Sequence, residues 1–249
     1  MSLAEHRTGP RTGFLLLAFS VPVLVLLLVL GTWQVKRLQW KEALIARIEE
    51  RIAAAPVPLE TVARIEAGGG DIDYRPVELA GAFLHEGERH YLATWHGRSG
   101  FFVHTPLRLA DGSYIFVNRG FVPYDRKDPE TRVEGQVPGT VQIGGLARTA
   151  PQEKPSFLVP DNDPVQNIFY WKDLDAMARS AGLSEREVYP FYVDADDKPN
   201  PGGLPVGGVT RINLPNNHLQ YAITWYGLAF ALVCVVGYWF LRRRHTGRT

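Results

Sequence analysis

Two long apolar runs, one near each end of the chain, constrain the fold more than any other feature. The first, 14–30, is interrupted by one serine and one proline, and the second, 221–241, contains no charged residue. Each is close to the roughly 20 residues that a helix needs to cross a bilayer. Proline is tolerated in such a helix because neighbouring groups satisfy the freed carbonyl. We therefore predict transmembrane helices at 14–33 and 218–241.

The first run shares one feature with a cleaved secretory signal, since Arg7 and Arg11 precede it. Its apolar stretch is longer than the usual range of about 7–15 residues in signals of that kind. The segment that follows, 31–34, lacks a small-x-small cleavage site. These differences predict an anchor that is not cleaved.

Charges at the helix ends predict the orientation. Arg242, Arg243 and Arg244 follow the second run directly, and positive residues stay on the cytoplasmic side. Basic residues after the first run favour the opposite orientation, but they alternate with glutamates and begin a loop too long for the rule to apply strictly. The tails 1–13 and 242–249 are therefore predicted to be cytoplasmic, with the main domain outside.

Helical spacing continues beyond the first run, over 34–55. The apolar residues at that spacing are Leu38, Ile45, Ile48 and Ile52. Pro56 and Pro58 then stop the pattern. We predict that 34–55 forms an amphipathic extension of the first helix.

The stretch 56–217 changes to short β-branched and aromatic runs separated by Gly, Pro and Asp, a pattern typical of strands. The predicted strands are 74–83, 90–94, 101–109, 114–121, 140–146, 167–171 and 188–193, and one short helix is predicted at 173–180. Asp111-Gly112 favours a hairpin between two of them. The predicted fold class is a membrane protein whose two transmembrane helices bracket an α+β, mainly antiparallel β extracytoplasmic domain, either a small barrel or a sandwich.

Composition and motifs exclude several function classes. Net charge is +1 and the basic residues form no stripe, so nucleic acid is not an expected partner. The single cysteine, Cys234, excludes an intrachain disulfide. Nucleophile-elbow, zinc-helix and phosphate-loop motifs are absent from the sequence. The acidic groups 71–73 and 194–197 are interpreted as solvated turn carboxylates, so no catalytic residue is predicted and the chain is not expected to be an enzyme.

Four histidines lie close together in the sequence of the β-rich stretch: His85, His90, His96 and His104. Strand pairing could gather them around a metal ion, because imidazole is a common ligand. Their spacing matches no compact ligand motif, and the simpler interpretation places them on the surface or at hairpin edges.

A fifth histidine, His218, lies at the mouth of the second predicted membrane helix. An ionisable side chain at that depth is costly without a partner, so it indicates a potential site. On a helix it shares a face with Tyr221 and Trp225, and neutral imidazole is a common axial ligand of haem iron. Two interpretations stay open: a ligand-binding histidine, or a helix cap within an aromatic belt.

The predicted spans are antiparallel, so the end of the first meets the start of the second. Gly31, Trp33, Gln34 and Arg37 are therefore expected near His218. Aromatic rings and an arginine that could pair with a propionate suit the rim of a haem site. The tryptophans also suit an interfacial belt.

Four blocks of this sequence resemble the surfeit locus protein 1 family, in the family's order and over about 14–241. They are Gly31-Thr32-Trp33-Gln34 with Arg37 and Trp40-Lys41, Tyr74-Arg75-Pro76-Val77 with Gly81 and Phe83, Val117-Asn118-Arg119-Gly120-Phe121-Val122-Pro123, and Asn216-Asn217-His218-Leu219-Gln220-Tyr221 with Thr224-Trp225. Phe121 stands where many relatives carry tryptophan. The blocks are specific jointly, although none is specific alone.

This resemblance implies an assembly factor for haem-copper cytochrome c oxidase that binds haem a transiently and assists its insertion. His218 matches the candidate haem ligand, with Trp33, Arg37, Tyr221 and Trp225 around it. The implied partners are the catalytic subunit of the oxidase, the haem a synthesis machinery and membrane lipid, with the oligomeric state left open. The alternatives are a membrane-anchored extracytoplasmic enzyme and a ligand-free scaffold.

Two further expectations follow from the matched blocks. The first 13 residues are too few for a mitochondrial presequence, which favours the bacterial cytoplasmic membrane with a periplasmic main domain. Arg119 could contact the oxidase, or it could pair with a carboxylate and hold a turn, which is the favoured role. Gly81 and Gly120 are interpreted as requirements of backbone geometry.

Overall fold

A computed structural model describes residues 10–210 and 216–246 of the chain, with side chains for 13–210 and 216–243. The outer parts of both predicted tails, 1–9 and 247–249, lie outside the described residues. The chain divides into a helical unit, formed by its two ends, and a second unit, Ile48–Ile212.

The described α-helices are α1 (Pro10–Ile52), α2 (Leu59–Ala67), α3 (Leu174–Ser180) and α4 (His218–Thr246). Helix α1 runs without interruption through Pro22 and ends at Ile52, three residues before the predicted end of the extension. The parts Gly13–Ile52 and His218–Arg243 are long and apolar enough to cross a membrane, and 6% and 11% of their apolar windows are buried. This exposure is compatible with membrane anchors, because the core helix of a soluble domain would be mostly buried.

Six strands build the second unit: β1 (Pro76–Phe83), β2 (Arg89–Trp95), β3 (Arg98–Leu109), β4 (Tyr114–Pro123), β5 (Thr140–Thr149) and β6 (Val188–Ala195). Their order is β1-β5-β6-β4-β3-β2, and an additional β1–β3 pairing closes five of them into a barrel. Strand β4 pairs with β6 in parallel, and the other pairings between these strands are antiparallel. The barrel prediction is therefore confirmed, and the sandwich alternative is wrong.

Two glycines are required where strands or loops approach closely. Gly81 lies at the β1–β3 closure, where a Cβ would be 2.4 Å from the Arg108 carbonyl oxygen. Gly120 has a φ of +124°, and a Cβ there would lie 1.9 Å from the Val206 carbonyl oxygen. Both positions therefore have the backbone role that the sequence predicts.

Side chains alternate between the two faces of β4 and β6, so these strands contribute to two separate hydrophobic clusters. Ile115, Val117 and Val193 belong to one buried cluster, which also includes residues of β1 and α2. Phe116 and Tyr192 belong to another, which packs under α3. Because successive side chains of a strand point to opposite faces, Asn118 and Asp194 follow Phe116 and Tyr192 to the outer face of the barrel.

The helix predicted at 173–180 is confirmed as α3. Asp173 caps it by accepting a hydrogen bond from the Ala176 backbone N–H at 2.9 Å. The strand predicted at 167–171 is wrong. That segment makes only isolated bridges, such as Tyr91 with Phe169, because Asn167 has a φ of +52° and the Asn162 side chain accepts from the backbone that follows. Helix α2 was not predicted.

Candidate functional site

The start of α4 brings His218 against the middle of α1. Its Nδ1 lies 2.7 Å from Oε1 of Gln34, whose side chain is buried. An amide oxygen only accepts hydrogen bonds, so Nδ1 carries the proton and donates it. The imidazole is then held as the tautomer whose Nε2 keeps a lone pair.

Close packing between the helices supports this contact. Gly31 lies against the Tyr226 ring, and a Cβ at this position would approach that ring to 2.9 Å. The Thr32 and Tyr226 hydroxyls are 3.0 Å apart. Ala222 and Ala229 are buried on the same helix. Small residues allow two membrane helices to approach closely, so these contacts fix the position of Gln34 relative to the histidine.

The remaining residues of the predicted rim lie more openly. Trp33 and Tyr221 are 55% and 53% exposed. The Arg37 guanidinium lies 3.9 Å from the centre of the Trp40 ring on the same helix. Trp225 is half-buried. Their part in a haem site stays a prediction. Gln34 was expected near His218 but was not among the predicted haem-binding residues, and the Tyr226 contact was not predicted.

Arg119 lies inside β4 and is 2% exposed. It donates to the Gly135 carbonyl and, at 3.4 Å, to Oδ1 of Asn200, and it lies 4.7 Å from the Phe83 ring centre. Burial lowers its pKa to about 10. Arg119 therefore has structural contacts, but with a carbonyl and an aromatic ring instead of the expected carboxylate.

A second buried group joins Glu88, His90 and Arg132, which we call the Glu88 cluster. Arg132 donates to both carboxylate oxygens of Glu88, and His90 Nε2 lies 2.8 Å from one of them. Burial alone would raise the pKa of Glu88, but the hydrogen bonds from His90 and Arg132 lower it to about 2. The carboxylate and the guanidinium are thus paired in the interior, while His90 Nδ1 has no hydrogen-bond partner among the described residues.

The four clustered histidines have different surroundings. His90 and His104 are buried, so the surface interpretation is wrong for these two. Burial, with a smaller effect of the Lys172 charge, lowers the pKa of His104 to about 3, so this ring is neutral. His85 Nε2 contacts the Val137 carbonyl at 2.9 Å, and His96 is exposed. Among the described residues, no group of three or more His, Cys, Asp or Glu side chains is arranged to hold a metal ion.

A cavity of about 440 Å³ opens on the outer face of the barrel, and we call it the polar cleft. Its lining includes Tyr91, Phe102, Asn118, Arg148, Lys172 and Asp194. Asp194 is 4% exposed, and it accepts hydrogen bonds from the Asn118 amide at 2.7 Å and from the Thr210 hydroxyl at 2.9 Å. The interpretation of Asp194 as a solvated turn carboxylate is therefore wrong, because this residue ends a buried strand.

Sequence reasoning missed the polar cleft. One usable signal was the alternation in β6, which places Tyr192 and Asp194 together on the face opposite Phe191 and Val193. An acidic residue that continues a buried alternating strand indicates a partnered carboxylate. Lys172 gave no such signal, because it belongs to the turn before α3.

Comparisons with known proteins agree over most of the chain. The family model described as the SURF1 family matches residues 21–230. Surfeit locus protein 1 of Rattus norvegicus is 42% identical over 218 residues, which cover 81% of this chain and 68% of that protein. The Homo sapiens protein of the same name is 40% identical over 219 residues, 81% of this chain and 70% of that protein. A SURF1-like protein of Monosiga brevicollis is 39% identical over 243 residues, 92% and 88% of the two chains.

Proposed function

Because the chain belongs to the SURF1 family, we propose that it is an assembly factor for haem-copper cytochrome c oxidase. In this proposal it binds haem a transiently, with His218 as the iron ligand, and assists insertion into the catalytic subunit. The chain would bind haem a and transfer it without catalysing a reaction on it. The observation that carries the haem part is the hydrogen bond between His218 and Gln34.

That hydrogen bond supports the proposal for a chemical reason. Histidines that bind metals usually donate the second ring N–H to an acceptor, which fixes the tautomer and the ring orientation. His218 meets this condition through Nδ1 and Gln34, and it retains the Nε2 lone pair that haem iron requires. A simple helix cap would need no oriented imidazole.

The proposed setting is a membrane. Helices α1 and α4 would anchor the chain in the bacterial cytoplasmic membrane with both termini in the cytoplasm. The barrel would then be periplasmic. The catalytic subunit of the oxidase and the haem a synthesis machinery are the proposed partners, and Trp33, Arg37, Tyr221 and Trp225 are proposed to surround the haem.

A spectrum of the purified chain tests the haem part. The full chain is purified in detergent from cells that make haem a, and its absorption is compared with that of His218→Ala. We expect the variant to lose the haem band. Tyr238→Ala, which changes an exposed residue farther along the same helix, is the matched control and is expected to retain it.

The Gln34→Ala variant distinguishes a His218 that binds haem iron from a His218 that only caps the helix. Loss of an outer-shell partner weakens metal binding by about 10–100-fold, so haem should dissociate more easily while the spectrum stays that of an imidazole-ligated iron. Normal occupancy in His218→Ala would exclude His218 as the ligand.

Deletion of the chain in its host tests the wider assignment. Active oxidase should be lost, with reduced levels of its catalytic subunit, while other respiratory enzymes persist. Intact oxidase activity would exclude an assembly role. Loss of oxidase in the deletion strain, combined with no haem on the purified chain under any condition, would leave the ligand-free scaffold.

A further inference from the structure

We propose that the polar cleft of the barrel is a binding site for a small monocarboxylate that carries a flat apolar ring. The site lies wholly within the second unit and does not depend on haem binding at His218. Two cations with unused hydrogen-bond donors, one satisfied carboxylate and a pair of aromatic rings face the same cavity. Each of these elements restricts the chemistry of the ligand.

Lys172 is the first unused donor. Its ammonium donates to the Tyr192 hydroxyl at 2.5 Å, and it lies 4.4 Å and 5.4 Å from the centres of the Tyr192 and Tyr91 rings. Among the described residues it has no carboxylate within ion-pair distance. An ammonium has three donors, so its bond to Tyr192 leaves two for a ligand.

Arg148 is the second. Its guanidinium lies 3.4 Å from Asp73 and 3.7 Å from Asp194, and it stacks 4.3 Å from the centre of the Tyr74 ring. None of these contacts is a well-formed hydrogen bond, and the buried Nε has no hydrogen-bond partner among the described residues. A guanidinium fork matches a carboxylate in bidentate geometry. The arginine is therefore oriented by its neighbours without being saturated by them.

The charge of the lining favours a monoanion. Lys172 and Arg148 contribute two positive charges and Asp194 one negative charge. Asp73 offsets Arg148 further from outside the lining, and its side chain is 36% exposed. The lining alone therefore has a net charge of +1, which a ligand with a single negative charge would balance. A dianion such as phosphate would exceed that charge and would be repelled more strongly by Asp194 and Asp73. A carboxylate therefore fits better than a phosphate.

The apolar part of the cleft favours a ring. Tyr91 and Phe102 lie nearly parallel, 6.2 Å apart with an interplanar angle of 19°, and both line the cavity. The volume of about 440 Å³ falls within the range of about 300–1,000 Å³ that is typical of small-ligand pockets. Aromatic rings prefer offset or edge contacts with other rings, so a flat body can lie against this wall while its carboxylate reaches the cations.

Titration calorimetry with benzoate tests the proposal on the full chain in detergent. Benzamide serves as the neutral isostere, and inorganic phosphate as the dianion. We expect saturable benzoate binding, with benzamide at least about tenfold weaker because charge-assisted hydrogen bonds are lost. Phosphate should also bind more weakly than benzoate. Equal binding of benzoate and benzamide, or no saturable benzoate binding, would overturn the proposal.

Variants place the binding in the polar cleft. Lys172→Gln should weaken benzoate by about tenfold or more, and Lys172→Arg should restore part of the affinity because it keeps the charge. Lys198→Gln is the matched control, since this exposed lysine pairs with Asp196 and does not line the cleft. Unchanged benzoate affinity in a folded Lys172→Gln protein, checked by its thermal transition, would also overturn the proposal. The readout uses no haem, so it is independent of the assignment of His218.

Discussion

Two charged groups in the barrel domain differ in how completely their members are satisfied. In the Glu88 cluster, the side chains of Glu88, His90 and Arg132 are 1–4% exposed, and the arginine also donates to two backbone carbonyls. In the polar cleft, Asp194 is equally buried, but Lys172 and Arg148 keep donors that face a cavity. We call the Glu88 cluster closed, because its carboxylate and its guanidinium are fully paired although His90 Nδ1 has no partner among the described residues. We call the polar cleft open, because its two cations face a cavity.

This difference indicates different roles. A buried ion pair whose charged groups are satisfied adds rigidity, but it loses much stability when one partner is removed. An open group can exchange protein contacts for ligand or solvent contacts, so the loss of one member should cost less. Stability measurements on single variants can therefore break or sharpen the distinction.

The largest expected effect is that of Glu88→Gln. Removing the charge leaves the Arg132 guanidinium buried without its counter-ion, and breaking a buried pair in this way costs about 3–5 kcal/mol. Chemical unfolding of the full chain in detergent, followed by tryptophan fluorescence, measures the change. A loss below about 1 kcal/mol would mean that the Glu88 cluster is more open to solvent than its contacts indicate.

His104 provides a pH-dependent comparison, because the charges of Lys172 in the polar cleft and of His90 in the Glu88 cluster both act on it. Its folded pKa is lowered to about 3, so below the ordinary value of about 6.5 the unfolded chain binds a proton that the folded chain does not. Stability should fall as the pH drops from 6.5 towards 3, by up to about 1.4 kcal/mol per pH unit.

The matching variant is His104→Phe, which keeps a ring and removes the titration. Unfolding at pH 7 and pH 5 should show a loss of about 2 kcal/mol in the parent that is absent in the variant. Glu88 does not interfere in this window, since its contribution is lost only as the pH falls below about 4.5 towards 2. An identical pH dependence in both proteins would show that His104 is reached by solvent.

The open group should respond more weakly, as tested by Asp194→Asn. An asparagine oxygen can still accept from Asn118 or Thr210, and the two cations face a cavity, so the expected loss is about 1–2 kcal/mol. The variant should also bind phosphate more tightly relative to benzoate, because one negative charge leaves the lining. A loss as large as that of Glu88→Gln would show that the two groups are not different in kind.

The part of the fold that could be predicted from the sequence varies along the chain. The two terminal helices and most strands follow from apolar length and alternation. The barrel closure does not, because it depends on three residue pairs between β1 and β3 and on the lack of a side chain at Gly81. The parallel β4–β6 pairing also cannot be read from local patterns, since β5 and α3 lie between these strands in the chain. Helix α2 is nine residues long and directly follows two prolines.

The candidate sites show the same division. His218 was recognisable because an imidazole at the mouth of a membrane helix needs a partner. The antiparallel arrangement of the two predicted spans placed Gln34 near it. The lining of the polar cleft comes from β2 to β6, from the segment before α3, and from Tyr74, Val209 and Thr210. In isolation Lys172 and Arg148 look like ordinary surface residues. Alternation in β6 could indicate that Asp194 has a partner, but only tertiary packing brings Lys172 and Arg148 to it, so local spacing could not reveal the cleft.

The smallest loss of stability is expected for an exposed ion pair, which serves as the reference for the two buried groups. Arg179 and Glu185 are in contact, with side chains 61% and 46% exposed. Arg179→Gln should change the free energy of unfolding by less than about 0.5 kcal/mol, because water and salt screen a pair of this kind. The same unfolding assay measures it, at low salt and again at high salt. If Arg179→Gln cost as much as Asp194→Asn, burial would not be what separates the three groups, and the ordering from closed to open to exposed would fail.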